Sequence, residues 1–204
     1  MYDNDKRCES REGFALNRFS VSVINGLSLP DSVGKLRYEQ YVQEQGKKYP
    51  TADHDNQLLF DEADAQSVHI VAFSEDGNLL SALRLTPVAI ANNIDYFSAF
   101  VSQKASCDKS EDSIVILSRL VRCSSMDGAK SIQHIFRFCF DYCVKREWTY
   151  GLIHTSPKLR SLFIRYGWRQ IAEEYHDQYA GPQVLLYLDA LDKEHLRQIR
   201  SPYL

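Results

Sequence analysis

Residues 113–131 read SIVILSRLVRCSSMDGAKS. Ile114 to Leu117 form an apolar run, Ser118 and Arg119 interrupt it, and Leu120 to Arg122 resume it. A small-residue loop follows, and an amphipathic run starts at Ala129. The pattern predicts a strand over 113–122 feeding a helix over about 128–146. An arginine that faces inward from a strand must meet carboxylates or line a cavity. One that faces outward on a half-exposed sheet needs neither. The stretch leaves both open.

Working outward, SVHIVAFS (67–74) and LLSALRLTP (79–87) flank Glu75-Asp76-Gly77-Asn78, which signals a hairpin. TYGLIHTS (149–156) reads as a further strand. Pro157 opens the helix KLRSLFIRYG, Gly167 closes it, and VLLYLDA (184–190) is the last strand. Toward the N-terminus, Asp31 and Ser32 cap a helix over about 33–47, and FALNRFSVSVI (14–24) reads as a first strand. Residues 48–66 are polar and irregular. Residues 89–112 hold a short amphipathic piece (Ile94, Phe97, Phe100) and a polar loop, residues 1–13 an arm, and 191–204 a helical or loose end. The order β-α-β-β-(α)-β-α-β-α-β predicts an α/β fold with a mixed sheet and helices on both faces, as one domain over 1–204.

Composition narrows the function. The 204 residues are 44% hydrophobic and 25% charged, with a net charge of −3, which gives no footprint for nucleic acid. No apolar run reaches the length of a membrane span, and the charged N-terminus lacks the apolar core of a secretory signal. The expectation is a cytoplasmic protein. The five cysteines, Cys8, Cys107, Cys123, Cys139 and Cys143, show no CxxC spacing. Cys139 and Cys143, four apart on a helix, have a spacing that suits metal ligands, but no histidine pair accompanies them. Reduced thiols and no metal are expected.

Five segments in order resemble the GNAT acyltransferases, and more narrowly the branch of acyl-homoserine-lactone synthases and long-chain N-acyl amino acid synthases. They are LRYEQYVQEQG (36–46), DEAD (61–64), HIVAF with DGNLLSALRLTP (69–87), LSRLVR (117–122) and PKLRSLFIRYGW (157–168). The resemblance covers about residues 33–190. It implies a GNAT-like, mostly antiparallel central sheet and transfer of a fatty acyl group from an acyl-carrier-protein or coenzyme A thioester to an amine of an amino acid or peptide side chain. No tightly bound cofactor is implied.

In this fold the pantetheine arm of the donor adds to a strand through main-chain hydrogen bonds. Its phosphate meets backbone N–H groups where a loop opens a helix. The resemblance therefore assigns Leu120, Val121, Arg122, Ser125, Gly128, Ala129 and Lys130 to the donor. It assigns Arg37, Tyr41, Asp61, Asp64 and Arg84 to the amino-substrate side, with the two carboxylates pairing the arginines. Arg119, Ser118 and His154 are the catalytic candidates, His154 as a base with a pKa near neutral. The aromatic helix 134–143 reads either as core or as the wall of an acyl tunnel.

At four positions the chain departs from the branch. Ile116 stands where the lactone synthases carry a glutamate, Leu59 where they carry an acidic residue, and Lys47 where they carry a tryptophan. Phe163 replaces the tyrosine with which ordinary GNAT enzymes protonate the leaving thiolate. These departures point away from lactone formation. An altered autoinducer synthase, or a GNAT-shaped binding protein without catalysis, are the alternative readings.

Overall fold

The computed structural model describes residues 13–16, 19–92, 94, 97 and 109–204. The arm 1–12, Cys8, Phe100 and Cys107 lie outside the described residues. The predicted first strand is two: β1 (Gly13–Leu16) and β2 (Phe19–Asn25) pair antiparallel. The predicted helix over 33–47 begins earlier and changes pitch. It runs as α1 (Asp31–Arg37) and continues as a π-helix over Tyr38–Glu44. Gly46 then turns the chain, and the Lys47 N–H reaches back to the Tyr41 carbonyl at 2.9 Å.

Most of the polar stretch after it is turns, with a two-residue bridge of β3 (Ala52–Asp53) and β4 (Leu58–Leu59). The hairpin is β5 (Val68–Ser74) and β6 (Leu79–Pro87), followed by the short helix α2 (Val88–Ala91). The opening stretch forms β7 (Ile114–Arg122) and α3 (Met126–Lys145). Then come β8 (Tyr150–Thr155), α4 (Arg160–Tyr166), β9 (Arg169–Gln170), β10 (Tyr175–Asp177), β11 (Gly181–Asp189) and α5 (Lys193–Gln198). Gly167 closes α4 in the left-handed conformation, φ 110°.

The sheet order is β1-β2-β5-β6-β7-β8-β11-β10, with β9 also on β11. Among the described residues every pairing is antiparallel except β7 with β8, which is parallel. Alternation sorts the strand residues between two faces. Ile70, Ala72, Leu83, Leu85, Val115 and Leu117 pack under α3 with Ile135, Phe136 and Cys139. On the opposite face Val71, Ala82 and Val121 meet Val33, Leu36 and Tyr41 around α1, while Ile114, Ile116 and Leu152 meet Val88, Ala91 and Phe97. The helix 134–143 is thus mainly core.

Two irregularities in β7 place the site. Ala82 pairs Val121, but Arg84 pairs Ser118, so two steps on β6 match three on β7. This is a β-bulge, and its residue Arg119 has φ 55°, a left-handed backbone that costs a non-glycine residue on the order of 1–3 kcal/mol. The parallel pairing of β7 with β8 also ends at Leu117 and Ile153. Beyond that point the two strands part.

Candidate active site

The bulge answers why serine and arginine stand side by side in this strand. In a regular strand they would face opposite sides. Leu117 and Leu120, three apart, both reach the α3 face, and Val121 returns to the α1 face. Ser118 and Arg119 between them both turn to one ionic cluster. The Ser118 Oγ accepts from Arg84 Nε at 3.0 Å. Arg119 donates to Asp61 Oδ2 from Nε at 3.1 Å and from Nη2 at 2.6 Å.

The cluster continues inward. Arg84 Nη1 donates to Asp61 and, at 3.1 Å, to Asp64. Arg37 Nη1 sits 2.9 Å from both oxygens of Asp64. The Asp61 N–H donates to Asp64, and the Ala63 N–H to Asp61. Arg37 and Arg84 are fully shielded from solvent, Asp64 is 5% exposed and Arg119 7%. Burial raises the pKa of both carboxylates, but the guanidinium groups outweigh it: Arg84 and Arg119 hold Asp61 well below its usual range, and Arg37 and Arg84 hold Asp64 below it. Both stay ionised. The arginines therefore face inward, on carboxylates.

His69 closes the cluster from β5. It contacts Arg37 Nη2 at 3.3 Å through Nδ1 and the Asp64 carbonyl at 3.2 Å through Nε2. The carbonyl needs a donor and the guanidinium an acceptor, which fixes a neutral ring with its proton on Nε2. Burial, and then the Arg37 charge, push its pKa down to about 4.

Outside the cluster, the gap between β7 and β8 opens a cleft of about 150 Å³ lined by Arg119, Leu120, Ile153, His154 and Phe163. Tyr41 and Tyr49 line it from the α1 side, packed edge to face at 6.1 Å between ring centroids. The Tyr41 hydroxyl donates to the Leu120 carbonyl, and the Arg119 guanidinium lies 4.4 Å over the Tyr49 ring. His154 sits one residue past the end of the parallel pairing, with the Tyr175 hydroxyl 2.5 Å from its Nδ1. Burial pushes its pKa down to about 3. The expectation of a near-neutral base is not met, because the cost of burial outweighs the charge of Asp177; the ring is neutral over the working range.

The residues assigned to the donor lie at the mouth of this cleft and beyond it. Val121 is core, and Arg122 is exposed and donates to the Cys123 carbonyl at 2.9 Å. Ser125 caps α3 by accepting the Gly128 N–H at 3.0 Å. A side chain on Gly128 would meet the Cys123 carbonyl at 2.4 Å, so this glycine serves close packing of loop on helix. Ala129 follows in the first turn. Lys130 is exposed and stands 3.9 Å from Asp127. This loop offers little positive field of its own.

Beneath the sheet, Leu117, Cys139, Phe140, Cys143 and Trp168 line an apolar void of about 30 Å³, room for about two waters and not for a long chain. This void does not serve as an acyl tunnel. Cys139 and Cys143 are both free thiols, buried, with their sulfurs 3.9 Å apart. Among the described residues no three His, Cys, Asp or Glu side chains group as a metal site, and no helix is long and apolar enough to cross a membrane.

Sequence reasoning missed Lys47 as a cleft residue, and it missed Tyr49, Tyr175 and Asp177. All four sit in irregular loop or a very short strand, where no periodicity marks a face. His69 carried one signal, a histidine in a strand that is otherwise apolar.

Three solved structures share this architecture. The AHL synthase LasI superposes with a TM-score of 0.70 at 15% identity, over 87% of this chain and 93% of that one. The CoA-dependent acyl-homoserine lactone synthase BjaI, with SAM and isopentyl-CoA, gives 0.66 at 15% identity, over 88% and 89%. An acyl-CoA N-acyltransferase from Pseudomonas aeruginosa gives 0.58 at 19% identity, over 83% and 99%. At these identities the likeness is one of fold, and it bears out the GNAT-like sheet. No curated protein matches the chain in sequence. Residues 32–189 match the family described as N-acyl amino acid synthase FeeM; the chain belongs to that family and is an N-acyltransferase.

Proposed function

We propose that the protein moves an acyl group from an acyl-carrier-protein or coenzyme A thioester to the amine of an amino acid, with both substrates meeting in the cleft between β7 and β8. The observation that carries this reading is the bulge at Arg119 beside the end of the β7–β8 pairing. It leaves strand edges open to an extended donor arm and turns Arg119 toward the same opening.

The amine nitrogen attacks the thioester carbonyl, the C–N bond forms, and the C–S bond breaks as the tetrahedral intermediate collapses. A backbone N–H at the bulge holds the developing oxyanion. The amine's proton ends on the departing thiolate by way of His154, whose neutral ring faces the cleft. With so weak a base, most of the rate comes from holding the two substrates together, which is worth up to roughly 7–11 kcal/mol. Ser118 and Arg84 position Arg119 through the shared carboxylates, and Arg37 and Tyr41 hold the wall of the acceptor side. Leu120 and Val121 offer main chain to the donor arm, and Arg122, Ser125, Gly128, Ala129 and Lys130 form its outer rest. We place the whole reaction in one domain over 1–204.

The test is intact-mass detection of N-acyl products when purified protein is mixed with acetyl and dodecanoyl thioesters of coenzyme A and of a carrier protein, together with pooled amino acids. A dodecanoyl amino acid is the expected product. Acylation of no amine by any donor would overturn the reading.

A further inference from the structure

Lys47 stands in this cleft with no catalytic duty in the scheme above. It is half-buried, and its backbone is fixed by the hydrogen bond to the Tyr41 carbonyl. Its ammonium lies 4.9 Å over the Tyr41 ring, as Arg119 lies over the neighbouring Tyr49. The aromatic pair thus carries two cations at one end of the cleft. Among the described residues no carboxylate stands within ion-pair distance of Lys47. The acidic side chain that lines the same cleft is Asp177, and its Oδ1 accepts the N–H groups of Tyr179 at 2.8 Å and Ala180 at 2.6 Å to close a turn. Burial, and then the charge of Arg119, lower the Lys47 pKa, while Asp177 offsets this in part. A lysine whose charge is disfavoured on both counts is a site awaiting an anion.

That anion sits on the acceptor side. The donor's phosphate belongs to the outer rest at the start of α3, past the far end of β7, whereas Lys47 lies on the α1 wall beside Arg119. We propose that Lys47 binds the carboxylate of the acceptor, and so selects a free α-amino acid over a simple amine or a peptide side chain. The assignment rests on the acyltransfer reading above and deepens it. The same cation has a second effect on the substrate. A positive charge near the α-amine lowers its pKa and favours the neutral form that attacks the thioester.

The experiment compares each of the twenty amino acids with its carboxamide in wild-type protein and in Lys47→Met, with Lys47→Arg as the conservative variant. Loss of a charge-assisted hydrogen bond corresponds to about a tenfold to hundredfold change in affinity. Lys47→Met is expected to raise KM for the amino acid by that factor and to leave the carboxamide and the donor thioester within about twofold. Lys47→Arg is expected to recover most of the loss. Calorimetric titration of the N-dodecanoyl amino acid and its carboxamide into both proteins reads the same contrast without turnover, so a protein inactive in the product assay still decides the role of Lys47. Equal handling of acid and amide by the wild type overturns the assignment while leaving acyltransfer intact. So does a Lys47→Met effect that falls on the donor or equally on both acceptors.

Discussion

The two ends of β7 are built on opposite principles. At its bulge, three guanidinium groups and two carboxylates from four separate segments are locked in a dry network. At its C-terminal end, the loop into α3 is exposed, capped by its own serine, and carries one lysine neutralised by one aspartate. The contrast teaches where recognition is spent. The bulge end is pre-organised and costly to alter; on the proposed reading it serves the acceptor, and the loop end is a shallow rest that leaves most of the grip to the donor's own main-chain contacts or carrier protein.

The most severe way to break this contrast is Asp64→Asn. It keeps the shape but leaves Arg37 and Arg84 buried against a neutral amide, and breaking such a pair costs about 3–5 kcal/mol. Denaturant unfolding of the variant is expected to show a loss in that range. A loss under about 1 kcal/mol would mean that water reaches the cluster and that its two ends differ less than described.

Acid probes the same end without a mutation. His69 has a pKa of about 4 in the folded protein against 6.5 in the unfolded chain, and His154 about 3. Between those values the unfolded state binds the extra protons, so stability is complete above about pH 6.5 and falls as pH drops toward 4. For His69 alone the loss reaches about 3 kcal/mol. Asp61 and Asp64, with depressed pKa values, add their losses only at lower pH, below their unfolded 3.8. His69→Gln is expected to flatten the slope between pH 6.5 and 4; an unchanged slope would assign it elsewhere.

Arg119→Ala separates activity from stability. Asp61 keeps Arg84 and the Ala63 N–H as partners, so the stability loss is expected to be smaller than for Asp64→Asn. The wall of the cleft goes with the guanidinium, and kcat/KM per folded molecule is expected to fall about a hundredfold, the cost of misplacing a substrate by about an ångström. Unchanged turnover would make Arg119 purely structural. The smallest effect belongs to the donor end: Lys130→Ala is expected to change the donor's KM by less than about fivefold, since an exposed pair contributes little. A larger, salt-sensitive change would show that the loop grips phosphate after all.

The strands and helices that carry long patterns were legible in advance. The hairpin of β5 and β6 announced itself by its turn, and the boundaries of β7 and α3 were found to within two residues because an apolar run and a small-residue loop mark them. Pairing of Asp61 and Asp64 with the arginines was implied by the family resemblance, and the charges in apolar strands demanded some such partner. The bulge was not legible, since it is a mismatch between two strands and neither shows it alone. Nor was the π-helix over 38–44, whose residues suit an α-helix equally well. β9 and β10 are too short for alternation to register, and with them went Tyr175 and Asp177. Lys47 was visible as a departure from the family, but nothing in the sequence showed that the chain bends back to bring it beside Arg119.

The wiring of the ionic cluster also sets a clock. Its bonds join residues 27, 23 and 58 positions apart, and loops of that length close at an entropic cost which local contacts do not bear. The carboxylates meet all three arginines only after β5, β6 and β7 are side by side. The energy of the cluster is therefore expected late in folding, on the native side of the barrier, where an interaction slows unfolding and leaves the folding rate nearly untouched. The charges that hold the bulge in place double as a latch on the lifetime of the folded state.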